Sequence, residues 1–318
     1  MEQDIINFFG ESIDNDSVKK ILVDLNTLNR PALPSDDSYA YYDWVLVRKK
    51  GIELGFVDSE FHHAHPRGTW RTGKLLFVQV YFYSGFGDIA QYKGCLPFGI
   101  TWSDHRNDVL AKLSTYKNTI HQSDSDTWDV PDYRLTVNYS GKTHLVDRIF
   151  CRQMPEPFMS PNNIRYPSLQ AITRAFGVPA NGSQLKSLWE PYLNKEKLQE
   201  ASEDGEIDLR ESYGVTLFFS QSEIFPLFRA ITLHRNRDSY AVGWRGDLPY
   251  FLDFDDSPYI LFQKIKQTPV QQGDSDNTGH AVWHFTDYTL HVLYSRLDNR
   301  ILRIKLIAPG AWKCLADI

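Results

Sequence analysis

Carboxylates and imidazoles crowd one short stretch of the chain, Asp58-Ser59-Glu60-Phe61-His62-His63-Ala64-His65. On an extended strand Asp58, Glu60 and His62 would project from one face, offering the mixed oxygen and nitrogen donors that a divalent metal takes. The spacing lacks the i, i+4 histidine pair of helix-borne zinc sites, and Pro66, Arg67 and Gly68 mark an exposed, flexible loop. The plain reading is a solvated histidine-rich loop without a metal; a metal-dependent hydrolase is the alternative. Cys95 and His105 could pair as thiol and imidazole, but Cys95 between Gly94 and Leu96 reads as a small, partly buried thiol. Two Asp-Ser-Asp triplets, at 124–126 and 274–276, read as solvated turns, because acid–base catalysis needs carboxylates held in contrasting environments. There is no G-x-S-x-G elbow, phosphate-binding loop or C-x-x-C pair, and Gly85-Phe86-Gly87-Asp88 is too short for a dinucleotide fingerprint. No catalytic residue, metal or cofactor is expected, and the chain reads as a non-enzyme.

Composition narrows the partners. Lys and Arg total 34 against 40 Asp and Glu, a net charge of −6, so direct nucleic-acid binding is not expected. The most apolar segment, residues 75–83, falls well short of the ~20 residues that a membrane-spanning helix needs. The start Met1-Glu2-Gln3-Asp4 does not resemble a signal peptide. Three cysteines, at 95, 151 and 314, cannot pair fully and favour a reducing, cytoplasmic compartment.

The elements that must position these groups come in two sets. Gly94, Leu96, Pro97 and Asp104 recur as Gly246, Leu248, Pro249 and Asp256 at one constant offset. Downstream, Trp128 is answered by Trp283, and Tyr133, Leu135, Val137 and Tyr139 by Tyr288, Leu290, Val292 and Tyr294, both strictly period-two. Upstream, residues 50–56 parallel 213–219, Ser59-Glu60 parallels Ser222-Glu223, and 75–83 parallels 227–234. The expectation is a tandem duplication of an α+β unit, 1–157 and 158–318, with the proline-rich segment from Pro155 as linker. The second copy lacks the segment 62–73, so this is an insertion in the first. Helices are expected at Val18, Ile21, Leu22 and Leu25, at Leu169, Ile172 and Phe176, and from Leu185 through Leu193 toward Leu198. Ser103 or Asp104 would cap another at 107–113. With about five strands per copy, each unit should lay its helices on one face of a mainly antiparallel sheet, the two packing through apolar faces. The recurring aromatics read as packing residues.

The stretch 94–113, G-C-L-P-F-G-I-T-W-S-D-H-R-N-D-V-L-A-K-L, followed by Trp128 and the strand 133–141, is similar to a segment of bacterial immunity proteins that guard against type VI secretion or other polymorphic toxins. The helix-then-strands order also resembles the repeat of β-lactamase inhibitory proteins. The likeness weakens in the second copy, where Phe251, Phe254 and Pro258 replace Gly99, Trp102 and Arg106. The resemblance implies a non-enzymatic inhibitor that binds a cognate toxin, one-to-one or as a homodimer, and blocks its active site. If the toxin is a nuclease, its basic groove would meet acidic loops. Residues offered for that contact are Glu203, Asp204, Glu206 and Asp208; Asp253, Asp255 and Asp256; and the 62–70 loop with His62, His63, His65, Arg67 and Trp70. Solvated surface or helix capping is the bland reading of each acidic run. An adaptor bridging several proteins is the further alternative.

Overall fold

A computed structural model describes residues 5–33, 41–85, 87–121, 124–161, 164–220, 225–238, 240–275, 278–296 and 299–312. The chain divides into two compact units, Met1–Glu156 and Pro157–Ile318. The first holds strands β1 (Tyr42–Val47), β2 (Ile52–Asp58), β3 (Leu75–Tyr83), β4 (Asn118–His121), β5 (Ser125–Val130), β6 (Tyr133–Tyr139) and β7 (Val146–Arg152). The second holds β8 (Glu206–Leu209), β9 (Val215–Ser220), β10 (Leu227–His234), β11 (Gln271–Asp274), β12 (Thr278–His284), β13 (Thr289–Ser295) and β14 (Arg300–Ile307). Both units are α+β, each with one seven-stranded antiparallel sheet, and the strand orders correspond: β1-β2-β3-β7-β6-β5-β4 and β8-β9-β10-β14-β13-β12-β11. In each, a three-stranded and a four-stranded meander join by pairing their last strands.

The first unit has helices α1 (Asp16–Asp24), α2 (Ser59–His62) and α3 (Arg106–Lys112). The second has α4 (Leu169–Arg174), α5 (Ser183–Trp189), α6 (Lys195–Glu203) and α7 (Pro258–Lys264). Asn15 caps α1 by accepting from the Ser17 N–H, and Val18, Ile21, Leu22 and Leu25 are buried at the expected spacing. The single helix expected from Leu185 onward is two, α5 and α6, separated at Pro191, which cannot donate to a continuing helix. For α3 the N-cap is His105, not Ser103 or Asp104; its N–H donates to Asp108 at 2.9 Å. Seven strands rather than five per sheet arise because β4 (Asn-Thr-Ile-His) and β11 (Gln-Gln-Gly-Asp) are short edge strands without an apolar alternation to betray them.

Each core follows the alternation of its strands. In the first unit Ile52, Leu54, Phe77, Val80, Leu135, Val137, Ile149 and Cys151 cluster with Val18, Leu22 and Val109. In the second, Val215, Leu217, Leu233, Leu290, Val292, Ile304 and Leu306 cluster with Ile172, Leu185, Trp189 and Leu261. Trp128 and Trp283 are fully buried in corresponding places. The peptide turns entering the two sheets also correspond. Gly51 and Gly214 have φ of 66° and 70°, and a Cβ there would meet the Ala90 carbonyl oxygen at 2.1 Å or the Gly243 carbonyl carbon at 2.4 Å. Only glycine fits such an approach.

Candidate functional site

The histidine-rich segment is not a strand presenting three ligands. Asp58 ends β2 and Glu60 and His62 lie in α2, so the three do not share a strand face. Asp58 is fully buried; one carboxylate oxygen caps α2 through the Phe61 N–H at 2.9 Å and the other accepts from Gly73 N–H at 3.1 Å. Glu60 faces His65 at 2.6 Å, and that hydrogen bond holds its carboxyl below the ordinary range. His63 reaches Glu156 at 3.1 Å, while His62 is buried. Among the described residues no group of three His, Cys, Asp or Glu side chains converges as metal ligands. Nor is the loop loosely tethered. Trp70 donates from its indole to the His65 carbonyl at 2.7 Å and packs edge-on against Tyr41 and Phe61 at 5.2 and 5.1 Å, so it is an internal prop; Arg67 is exposed.

The Asp-Ser-Asp reading also changes. Asp126 lies in β5 with no solvent exposure and takes Arg106 at 2.8 and 2.9 Å and His121 at 2.5 Å. It is a buried ion-pair acceptor, whereas Asp276, its counterpart in the second triplet, and Ser222-Glu223 lie outside the described residues. Cys95 is exposed rather than partly buried.

The acidic candidates separate by role. Glu203 and Asp204 end α6 and are exposed. Asp208 is held by Arg210 at 3.0 and 2.9 Å and by the Tyr240 hydroxyl; burial opposes its ionisation, but these hydrogen bonds outweigh it and lower its pKa. Asp256, only 11% exposed, accepts the Asp253 N–H at 2.7 Å and Lys264 Nζ at 2.7 and 2.9 Å. Lys264 also donates to the Phe251 carbonyl at 2.8 Å. The first unit repeats this clamp: Asp104 accepts Thr101 N–H at 2.8 Å and Lys112 Nζ at 2.5 Å, and Lys112 donates to the Gly99 carbonyl at 2.7 Å. Asp256 is therefore a loop strut, unavailable to a partner. Asp253 and Asp255 stay at the surface, Asp255 sharing Arg300 at 3.0 Å.

What the clamp holds is a turn with two successive left-handed residues. In the first unit these are Phe98 and Gly99, φ 56° and 65°; in the second, Tyr250 and Phe251, φ 58° and 55°. Phe98 packs on Tyr116 at 5.2 Å and Tyr250 on Phe285 at 4.8 Å. Gly99 has nothing near its missing Cβ, and Phe251 at the same place is 94% exposed. Tyr250, next to it in the chain, is 40% exposed, and Tyr259 in α7 is 54% exposed.

A second feature has no counterpart among the sequence motifs. The strand residues of the second sheet that alternate with its core residues line a cleft of about 330 Å³, among them Glu206, Thr216, Phe218, His291, Leu293 and Lys305. Register places Thr216, Thr232, Lys305 and His291 side by side across β9, β10, β14 and β13. His234 Nε2 meets Thr216 Oγ1 at 3.0 Å and its Nδ1 meets Asp238 at 2.6 Å. Arg303 forks onto Asp238 at 2.5 and 2.8 Å. Burial opposes the Asp238 charge, yet His234 and Arg303 together lower its pKa. The Asp238 carboxylate accepts from Nδ1–H, and the other ring nitrogen faces the Thr216 hydroxyl.

No family model, curated protein or solved structure matches the chain.

Its chemistry is thus carried by geometry alone. The Thr216–His234–Asp238 line has the order of a nucleophile relay. Thr216, however, sits within the β8–β9–β10 ladder, whose backbone N–H groups face neighbouring strands and leave no pair to receive an oxyanion. The line holds Thr216 and Arg303 in place. Beside it Lys305 is half-buried, its Nζ 3.8 Å from the centroid of the Phe218 ring. Burial lowers its pKa. Burial, with smaller contributions from His280 and Lys305, brings His291 down to about 4, so its imidazole is neutral at pH 7. The signal that could have revealed the cleft is the outward member of each alternating strand: Thr and Phe in β9, Thr and His in β10, His and Leu in β13, Arg and Lys in β14. No helix among the described residues is long and apolar enough to cross a membrane.

Proposed function

We propose that the chain is a cytoplasmic immunity protein that binds a cognate secreted toxin, a nuclease, and blocks its active site. In this reading its two units are copies of one duplicated module, each with helices on a single face of its sheet. The contact surface is the clamped turn of the second unit, with Tyr250, Phe251, Asp253 and Asp255.

Phe251 carries the argument. A non-glycine residue in the left-handed region costs roughly 1 kcal/mol, and this one also leaves its ring 94% exposed. The first unit makes the same turn with Gly99, which bears neither cost. An aromatic ring kept in solvent against backbone preference is what an interface anchor requires, with binding energy concentrated in a few buried rings. Asp253, two residues further on, adds exposed charge of the sign that complements a nucleic-acid groove and speeds encounter, and Asp255 stays exposed although it pairs with Arg300 and Arg235. Neither residue type nor placement calls for a cofactor.

Coexpression with the toxin encoded next to its gene should yield a stoichiometric complex with Kd of about nM or below. Phe251→Gly should weaken it by at least about tenfold while the chain stays folded. A toxin left active and unbound by the wild-type chain would refute the reading.

A further inference from the structure

The second-sheet cleft contains an ammonium that no carboxylate contacts directly, although Glu206 in the same lining acts on it through space. Among the described residues Lys305 Nζ has no hydrogen-bond or ion-pair partner, and it lies over the face of Phe218. The Thr232 hydroxyl, adjacent to Lys305 in register and largely buried, likewise has no hydrogen-bond partner among the described residues. An ammonium and a hydroxyl set side by side without partners form half of an anion site.

The walls define the other half. Phe218 and Leu293 are apolar, and His291 next to Lys305 is neutral at pH 7. Glu206 lines the cleft, as do Arg210 and Arg303, but each arginine is already forked onto a carboxylate of its own, Asp208 and Asp238. A dianion such as phosphate would meet Glu206 without enough positive charge to offset both of its own. A single negative charge on an apolar body satisfies Lys305 and Thr232 and covers Phe218 and Leu293. The volume, about 330 Å³, lies at the small end of ligand pockets.

We propose that this cleft binds a small organic carboxylate, its oxygens on Lys305 Nζ and Thr232 Oγ1 and its apolar body against Phe218 and Leu293. The site is separate in sequence from the turn at Phe251, so it stands or falls independently of the toxin-binding reading.

The test is calorimetric titration of the full chain with benzoate, benzamide and inorganic phosphate, with the His291 ring signals followed by NMR. Benzoate should bind saturably at one site, with Kd between about 10 μM and 1 mM, and should shift the His291 signals. Benzamide and phosphate should bind at least about tenfold more weakly. Lys305→Met should weaken benzoate by about tenfold or more, and Thr232→Val by about threefold. The proposal is overturned if benzoate shows no saturation by about 10 mM, if phosphate binds more tightly, or if folded Lys305→Met binds benzoate as the wild type does. Should Lys305→Met fail to fold, unaltered binding by Thr232→Val together with unmoved His291 signals would overturn it instead.

Discussion

In the first unit the turn after Pro97 folds Phe98 inward against Tyr116 and leaves Gly99 at the surface. In the second the turn after Pro249 folds Tyr250 against Phe285 and leaves Phe251 in solvent. The backbone, the Asp–Lys clamp and the strand order are shared; the side chain that emerges is not. A second contrast runs the other way. Arg106 and buried Asp126 form an ion pair in the first unit, whereas Pro258 stands at the position of Arg106 in the second and Asp274 accepts the Tyr294 hydroxyl at 2.7 Å. Shared parts of the frame are those that close the backbone. Parts that differ either project from it or fill places where the frame tolerates several solutions.

The largest expected effect tests the second contrast. Asp126→Ala leaves the Arg106 guanidinium, only a quarter exposed, without its carboxylate. Urea unfolding should show a loss of about 3–4 kcal/mol; a loss below about 1 kcal/mol would mean that the first unit does not need the pair that the second lacks. Next come the shared clamps. Asp104→Ala and Asp256→Ala each remove an acceptor for one lysine and one backbone N–H, with Asp104 also losing the Thr101 hydroxyl at 2.9 Å, and each should cost about 2 kcal/mol. Near-equal losses would support a common frame, and a wide inequality would break the correspondence between the two turns.

A pH effect distinguishes the second sheet. Burial takes His291 down to about 4 from its ordinary 6.5, so the unfolded chain takes up that proton first as pH falls. The contribution is complete above about 6.5, declines between about 6.5 and 4, and is gone below. Allowing for partial exposure it amounts to about 1–2 kcal/mol. His291→Gln should flatten the stability profile over that window, as read by denaturation at pH 7 and pH 4.5; an unchanged slope would remove His291 as its cause. The smallest effect is a gain: Phe251→Gly should stabilise the chain by about 1 kcal/mol, while Gly99→Phe should cost a similar amount. Loss of stability in Phe251→Gly would show that the ring contributes to folding, contrary to its role as an anchor.

Legibility followed sequence distance. The β6 and β13 alternations, the α1 spacing and the tryptophans in matching places could be read from the chain because each is local or recurs. Asp126 looks like a turn residue in the sequence because the cation that permits its burial lies 20 residues away, at Arg106. Asp58 resembled a ligand because its real partners, the Phe61 and Gly73 N–H groups, are backbone atoms that residue types do not reveal. Asp256 resembles a surface acid because its partner Lys264, which repeats Lys112 at the same offset, is one lysine among several in the sequence. The cleft was invisible because β9, β10, β13 and β14 each contribute only one or two residues, and register alone assembles them.

The strand order has a consequence for synthesis. Each sheet's middle strand, β7 or β14, is the last of its unit to leave the ribosome. Until then the two meanders have nothing to join them, and the unpaired edges of β3 and β6, or of β10 and β13, are open to any extended chain nearby. The first unit can close while the second is still being translated. Each sheet is thus sealed in a single late event, and a chain that stalls before residue 146 or residue 300 should be a substrate for chaperones rather than a shorter version of the protein.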